Sequence, residues 1–194
     1  MRRIYNIIII TAFIICALFC GPGFAKGIDD GFQEAKRVES RYFSISIEDG
    51  VDSEKLSVKL SVPLSIKAII KEPISDVFSL PNQLDTLFLA ASEIMDIHLK
   101  KFKCDVKICK DASSLSTVAY KLFGQEIQPG GFYVLALDTV YIDAKNININ
   151  MLGHEFSHAI QTHYFVVPPP EKIQEVLAAY VEYELRKYTL SLPE

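Results

Sequence analysis

The amino-acid sequence predicts an α+β fold: a small mixed sheet with an edge hairpin, packed on two consecutive helices near the C-terminus. The first observation is the order of the periodic segments, which runs strand, helix, hairpin, helix, helix. The second is size and composition, since 194 residues that are 49% hydrophobic and 23% charged suffice for one sizeable core. The third is that no internal repeat is visible in the sequence. One globular domain with an N-terminal appendage is therefore expected.

The first 25 residues have the pattern of a secretory signal peptide. Two arginines near the start precede an apolar run from Ile7 to Cys20, and small residues, Gly23 and Ala25, follow it. The apolar run is short for a membrane-spanning helix, which needs about 20 residues. The pattern predicts a signal peptide at residues 1–25 and a secreted or periplasmic protein without a stable membrane span. An uncleaved anchor is the alternative.

The charge of the chain argues against nucleic acid as its partner. The net charge is −4 over mixed signs. Loss of the signal peptide would remove two arginines and no acidic residue, which leaves 24 acidic against 18 basic residues and a net charge of −6. Binding to phosphates requires a basic surface, and this composition gives no sign of one.

The mature chain divides into a leader and strand region, residues 26–80, and a main domain, residues 81–194. Residues 26–40 contain glycine and many charges, which is typical of a poorly ordered leader. Alternating apolar and polar residues over 41–47 predict a strand. The apolar residues of 56–62 fit either a strand or a helix face, and both alternatives stay open.

The main domain is predicted to begin with a helix and a short strand. Pro81 suits a first helical position, and apolar residues at three- and four-residue steps extend the helix to about Lys101. Residues 104–109 form the predicted strand, with Cys104 and Cys109 at its ends. A straight strand holds its ends about 16 Å apart, so a disulfide would require a turn. Bridged and free thiols both stay open, and a structural role is expected because no histidine neighbours them.

The rest of the domain is predicted as helix, hairpin, helix, helix. A serine at position 113 or 114 caps the first of these helices, and Gly124 ends it. Three consecutive prolines separate the two C-terminal helices, because proline cannot continue a helix. The predicted elements are a helix to Phe123, hairpin strands at 132–136 and 140–143, and helices at 150–164 and 171–190.

The segment His154-Glu155-Phe156-Ser157-His158 indicates chemistry on the first C-terminal helix. Two histidines four residues apart project from one helix face about 6 Å apart, a separation that one metal ion can span. Imidazole favours zinc, cobalt, nickel or copper, and two imidazoles with an oxygen ligand at an open site favour Zn²⁺. Glu155, one step round the helix, can reach a water on the metal without being a ligand. The alternative is a helix with two surface histidines beside a glutamate.

A catalytic zinc ion needs a third protein ligand. His163 lies about 140° round the helix from His158 and fails on geometry. Zinc peptidases with a third histidine six residues after the second are excluded, because that position is Tyr164. Of the glutamates on the last helix, Glu175 lies about 6 Å and Glu182 about 16 Å beyond the proline turn, so Glu175 returns closer to the histidines. Glu175 is the predicted ligand, and a solvated helix residue is the alternative.

The histidine motif followed by a glutamate on the next helix resembles the gluzincin metallopeptidases, in a short form. The resemblance covers roughly residues 81–190. It implies that an edge strand ahead of the motif, here Phe132–Leu135, binds extended peptide by strand addition; an ordinary hairpin is the alternative. Gluzincins carry an acidic residue four positions after the ligand glutamate, where this chain has Ala179. The usual carboxylate partner of a histidine ligand is therefore expected to be absent.

The expected function is that of a small secreted or periplasmic zinc peptidase acting on a peptide or protein substrate. His154, His158 and Glu175 would hold one Zn²⁺ ion, which would lower the pKa of a bound water from 15.7 towards about 7. Glu155 would act as general base and then pass the proton to the departing amine.

Two aspects of this function stay open. The donor for the oxyanion is one of Tyr180, Tyr183 and His163, each of which also suits a packing role. The alternative function is a non-catalytic periplasmic binding or assembly protein with a gluzincin-like fold, because Ala179 departs from the family pattern. A hydrolase of non-peptide amides would use the same water chemistry.

Overall fold

A computed structural model of the chain describes residues 29–125 and 130–189, so the predicted signal peptide at residues 1–25 lies outside the described residues. Within these ranges the chain forms one five-stranded mixed sheet and six α-helices, which confirms the α+β prediction. The strands are β1 (Glu34–Glu39), β2 (Phe43–Glu48), β3 (Cys104–Cys109), β4 (Gly131–Val134) and β5 (Thr139–Asp143). The helices are α1 (Ser53–Lys59), α2 (Leu64–Lys67), α3 (Leu80–Met95), α4 (Ala112–Phe123), α5 (Ile149–Tyr164) and α6 (Glu171–Tyr188).

The sheet has the strand order β1-β2-β3-β5-β4, with parallel strands at its centre. β2 pairs in parallel with β3, and β3 pairs in parallel with β5, while β1 and β4 pair in antiparallel at the two edges. Every residue of β2 and of β5 is buried, as expected for strands covered on both faces. Within the described chain, β4 is an edge strand that has only β5 as a neighbour.

The strand β1 contradicts the expectation of a poorly ordered leader over residues 26–40. It pairs with β2 along its length although most of its side chains are exposed. The charged side chains lie among partners of opposite charge: Arg37 is 3.4 Å from Glu39 and 3.6 Å from Asp105. A polar edge strand has little apolar alternation, so the sequence contained no periodic signal for β1.

The segment 56–62, which was open between strand and helix, is helical as far as Lys59 and forms the second half of α1. Leu56 is buried and packs into the main core, whereas Val58 on the opposite side is 66% exposed. The side chain of Asp52 accepts hydrogen bonds from two N–H groups in the first turn, which caps the helix. Burial of one face and the cap together favour the helical alternative.

Two helix boundaries differ from the predicted ones. α3 ends at Met95 rather than near Lys101, because Asp96 adopts a left-handed conformation with φ of 53°. The cap of α4 is Asp111 rather than a serine, since the Asp111 side chain accepts a hydrogen bond from the Ser114 N–H at 3.1 Å. In both cases an aspartate forms the end of the helix: Asp96 at the C-terminus of α3 and Asp111 at the N-terminus of α4.

Cys104 and Cys109 are both free and buried at the two ends of β3. The strand between them is regular, so the alternative with two free thiols holds. Burial raises the pKa of the Cys109 thiol to about 12 and also raises that of Cys104. Both thiols therefore stay protonated at neutral pH and act as small apolar side chains.

Helix α5 contacts both α6 and the sheet. The Phe156 ring stacks on Phe43 of β2 with 4.6 Å between ring centroids, and both rings are completely buried. The Asn148 side chain caps α5, and the prolines at positions 168–170 precede α6. Within residues 29–125 and 130–189, none of the helices combines the length and apolar content that a bilayer crossing requires.

Candidate metal centre

Helix α5 places His154 and His158 on one face, one turn apart. Their ring centroids are 5.0 Å apart, and both rings are partly buried. The opposite face of the helix carries Phe156 and Ile160 into the core, which fixes the rotation of α5 about its axis. Because the apolar face determines this rotation, both imidazoles point in a common direction.

Helix α6 brings Glu175 to the two histidines. Its Oε2 atom lies 3.5 Å from Nε2 of His154, and its Oε1 atom lies 3.5 Å from Nε2 of His158. The three side chains each offer one potential ligand atom, and these atoms all lie within 4.8 Å of one another. The structure therefore brings together the three residues that the sequence indicated as metal ligands.

A second glutamate of α6, Glu182, reaches His154 on the side of the ring opposite Glu175. Oε2 of Glu182 lies 3.3 Å from Nδ1 of His154, while Arg186 binds Oε1 of Glu182 at 2.6 Å and 3.1 Å. The sequence indicated Glu182 only as a candidate metal ligand, so its position beside Nδ1 of His154 was not predicted. The available signal was the seven-residue spacing from Glu175 to Glu182, which places both carboxylates on nearly the same face of α6.

Glu155 lies between the histidine pair and β4. The backbone N–H of Tyr133 in β4 is near the Glu155 carboxylate and favours its charged form. Burial, and to a lesser extent the negative charge of Glu175, raise the pKa of Glu155 to about 7, against the lowering effect of His154. Its side chain also passes close to Gly131, since a Cβ atom there would be 3.5 Å from Glu155 Cγ.

The two histidines differ in their affinity for protons. Burial lowers the pKa of His154, but the carboxylates of Glu175 and Glu182 outweigh it and raise the pKa to about 10. Burial and then the charge of His154 lower the pKa of His158. The ion pair with His154, together with the guanidinium of Arg186, lowers the pKa of Glu182 to about 2. Without a metal ion, the pair of histidines thus carries a single positive charge, on His154.

None of the three residues considered as oxyanion donors joins this cluster. Oxygen atoms of Asp138 lie 2.9 Å from Nε2 of His163, whose ring packs on Phe102 at 4.7 Å between centroids. Tyr180 and Tyr183 are about half exposed on the outer side of α6. The expectation that one of them faces the reacting centre is therefore not supported by their positions.

Comparisons of this chain with protein-family models, with curated proteins and with solved structures find no match. The resemblance to gluzincins accordingly depends on the histidine motif and on the glutamate of the following helix. The geometry of His154, His158 and Glu175 is what the structure adds to that resemblance.

Proposed function

We propose that this chain is a secreted or periplasmic zinc-dependent peptidase whose metal ligands are His154, His158 and Glu175. The observation that supports it most directly is the bridging position of Glu175, each of whose oxygens faces Nε2 of one histidine at 3.5 Å. The proposed metal site takes its two histidines from α5 and its carboxylate from α6, the helix that follows. The strand β4, which lies at the edge of the mixed sheet, neighbours this site.

The spacing of these atoms is close to that around a tetrahedral zinc ion. Ligand atoms about 2.0–2.1 Å from such an ion stand about 3.4 Å apart. Each imidazole nitrogen lies 3.5 Å from a different oxygen of Glu175, and the three ligand atoms lie within 4.8 Å of one another, so the side chains would move slightly closer together around the ion. Two imidazoles and one carboxylate are also the ligand set of many catalytic zinc sites, which keep a fourth position open.

Zinc bound to these three residues would supply a Lewis acid that polarises a carbonyl group and lowers the pKa of water. Glu155 would take a proton from that water and return it to the departing amine. The edge strand β4 would help to orient Glu155, whose Cγ would be 3.5 Å from a Cβ atom added at Gly131.

A peptide is the proposed substrate because the site lies beside an edge strand. β4 pairs with β5 on one side, and an extended chain can add to its other side through backbone hydrogen bonds. Antiparallel pairing alternates along a strand, and the pair of Gly130 with Asp143 is hydrogen-bonded, so residues 131 and 133 direct their backbone groups away from β5. The N–H of Tyr133 is near Glu155, and the other backbone groups of these two residues would pair with the peptide. A peptide lying there would pass next to Glu155.

The experiment that tests this proposal measures zinc content and peptide hydrolysis together. Wild-type protein, purified without its signal peptide, is expected to hold one zinc ion and to cleave a mixture of fluorogenic peptides. Glu155→Gln is expected to keep the zinc and to lose at least about 100-fold in hydrolysis rate, the range for removal of a general base. Wild-type cleavage by that variant, or no zinc binding by the wild-type chain, would contradict the proposal.

A second function is favoured by one observation. The cluster is largely neutralised by its own ion pairs, since His154 lies between Glu175 and Glu182, and Arg186 binds Glu182. Such a cluster could join α5 to α6 in a binding or assembly protein whose zinc is structural or absent. A protein that holds zinc but leaves every peptide of a broad library uncleaved would support this second function.

A further inference from the structure

Glu182 faces the ring nitrogen of His154 to which the proposed zinc ion would not bind. Nε2 of His154 faces Glu175, whereas Nδ1 lies 3.3 Å from Oε2 of Glu182. A neutral histidine binds a metal through the ring nitrogen that carries no proton, while the other ring nitrogen carries the proton. The group that faces the second nitrogen therefore decides which tautomer and which ring orientation His154 adopts.

Nδ1 of His154 depends on Glu182 for a partner. The atom is shielded from solvent, and within the described chain no group makes a well-aligned hydrogen bond to it. Glu182 is at ion-pair distance from Nδ1, although the angle falls outside that of a good hydrogen bond. A buried polar nitrogen gains free energy from a hydrogen bond, and Glu182 is the acceptor within reach of this one.

Glu182 is itself held in place by Arg186, one turn further along α6. The guanidinium of Arg186 binds Oε1 of Glu182 through Nη2 at 2.6 Å and through Nε at 3.1 Å. Oε2 of Glu182 is thus left for His154. The side chain of Glu182 is only 24% exposed, so solvent competes weakly for its oxygens. A carboxylate restrained at one oxygen is well suited to orient a group at the other.

We propose that Glu182 is the positioning residue of the metal centre, holding His154 with Nδ1 protonated and Nε2 directed to the metal ion. The inference rests on the proposed function, because it takes His154 as a zinc ligand. It also replaces the expectation drawn from Ala179: the carboxylate partner is supplied seven residues after Glu175 instead of four. Glu182 is excluded as a fourth ligand to the same ion, since it lies at the other side of the imidazole ring.

The test compares the Zn²⁺ affinity of Glu182→Ala with that of Glu184→Ala by competition with a chelator. Glu184 is a matched control on the same helix, since it is paired with Lys187 at 2.9 Å and its side chain is 17% exposed. Glu182→Ala is expected to bind Zn²⁺ about 10–100-fold more weakly than wild type, the usual effect of removing such a partner. Glu184→Ala is expected to bind as wild type does. In the Co²⁺-loaded proteins, the visible absorption bands should shift in the first variant only.

A second measurement needs no variant and covers the case in which Glu182→Ala does not fold. Nitrogen NMR of the zinc-loaded wild-type chain is expected to show His154 protonated at Nδ1 and bound to metal through Nε2. Binding through Nδ1, or equal Zn²⁺ affinities for the two alanine variants, would overturn the inference and leave the proposed function intact. Failure of the wild-type chain to bind Zn²⁺ at all would instead overturn the proposed function, and this inference with it.

Discussion

Gly153 of α5 lies directly against Leu185 of α6: a Cβ atom at position 153 would stand 2.2 Å from Leu185 Cδ1 and 3.7 Å from Val181 Cγ1. Both α6 side chains are completely buried and have little space to move. Gly153 also immediately precedes His154 in the sequence. The distance between the two helices at this point therefore influences how far Glu175 stands from the histidines.

Gly153→Val is expected to destabilise the protein and to weaken the metal site. Overpacking of a close helix contact costs about 1–3 kcal/mol, which urea denaturation would measure as a lower free energy of unfolding. Zn²⁺ affinity should fall as well, because the wider spacing separates the ligands. The double variant Gly153→Val with Leu185→Ala is the control. It should lose less stability than the sum of the two single changes, and additive losses would show that the two residues do not compete for space.

Asp30 gives a prediction for the pH dependence of stability. Its carboxylate is buried and accepts hydrogen bonds from Lys107 and Tyr141. Burial by itself would raise the pKa of Asp30, but these two partners outweigh it, and the pKa is lowered. The folded-state pKa thus lies below the unfolded value of about 3.9, so the ionised form stabilises the fold above about pH 4. This contribution is lost as the pH falls through the folded-state pKa.

Asp30→Asn should therefore unfold more easily at pH 7, by about 1–3 kcal/mol, the value of hydrogen bonds to a charged group. Below pH 4 its free energy of unfolding should fall less steeply than that of wild type. Urea denaturation at a series of pH values measures both effects. Asp76→Asn, a change at an exposed aspartate, serves as the control. Identical pH profiles for Asp30→Asn and wild type would refute the assignment.

Gly131 gives a prediction that separates catalysis from metal binding. A Cβ atom at this position would lie 2.9 Å from the backbone oxygen of Tyr141 and 3.5 Å from Glu155 Cγ. Since the backbone oxygen cannot move without shifting β5, Gly131→Ala should displace β4 and with it the side chain of Glu155 that lies against it. The expected result is a loss of about 10-fold or more in kcat/KM at unchanged zinc content, because misplacement of a catalytic group by an ångström is costly.

The neighbouring glycine supplies the control for this experiment. Among the described residues, a Cβ atom at Gly130 would meet only the flexible end of Met151, with Cε at 2.1 Å and Sδ at 3.3 Å. Methionine adapts readily to such a change. Gly130→Ala should therefore retain most of the activity. Equal losses in the two variants would mean that the position of the whole hairpin, and not Glu155, is affected.

The sequence predicted those parts of the fold and of the site that depend on local periodicity. The strand from Cys104 to Cys109 was predicted with its observed ends, because buried strand residues are β-branched or otherwise apolar. The histidines of α5 and the return of Glu175 followed from helix geometry alone. These predictions needed no knowledge of how distant elements pack.

The parts that the sequence did not predict depend on tertiary contacts. Strand β1 pairs through its backbone while its side chains stay exposed, so its residues show no apolar pattern. The role of Glu182 depends on which nitrogen of His154 it faces, and the height of a residue along a helix carries no such information. Asp96 ends α3 in a left-handed conformation, which aspartate tolerates better than most residues, but the apolar periodicity continues past it and so did not indicate the end.

Metal addition and removal should change thermal stability if the three predicted ligands hold zinc. A ligand present at 100 times its dissociation constant stabilises the folded state by about 2.7 kcal/mol. For a chain of this size, about 1 kcal/mol shifts Tm by about 2–4 °C, so saturating Zn²⁺ should raise Tm by about 5–10 °C and a chelator should reverse the rise. His158→Ala removes one ligand and should abolish the shift, whereas His163→Ala, at a histidine bound to Asp138 instead, should keep it. Calorimetry of the wild type and the two variants, each with Zn²⁺ and with a chelator, measures these shifts. A shift in His158→Ala equal to that of the wild type would place the zinc ion elsewhere on the protein.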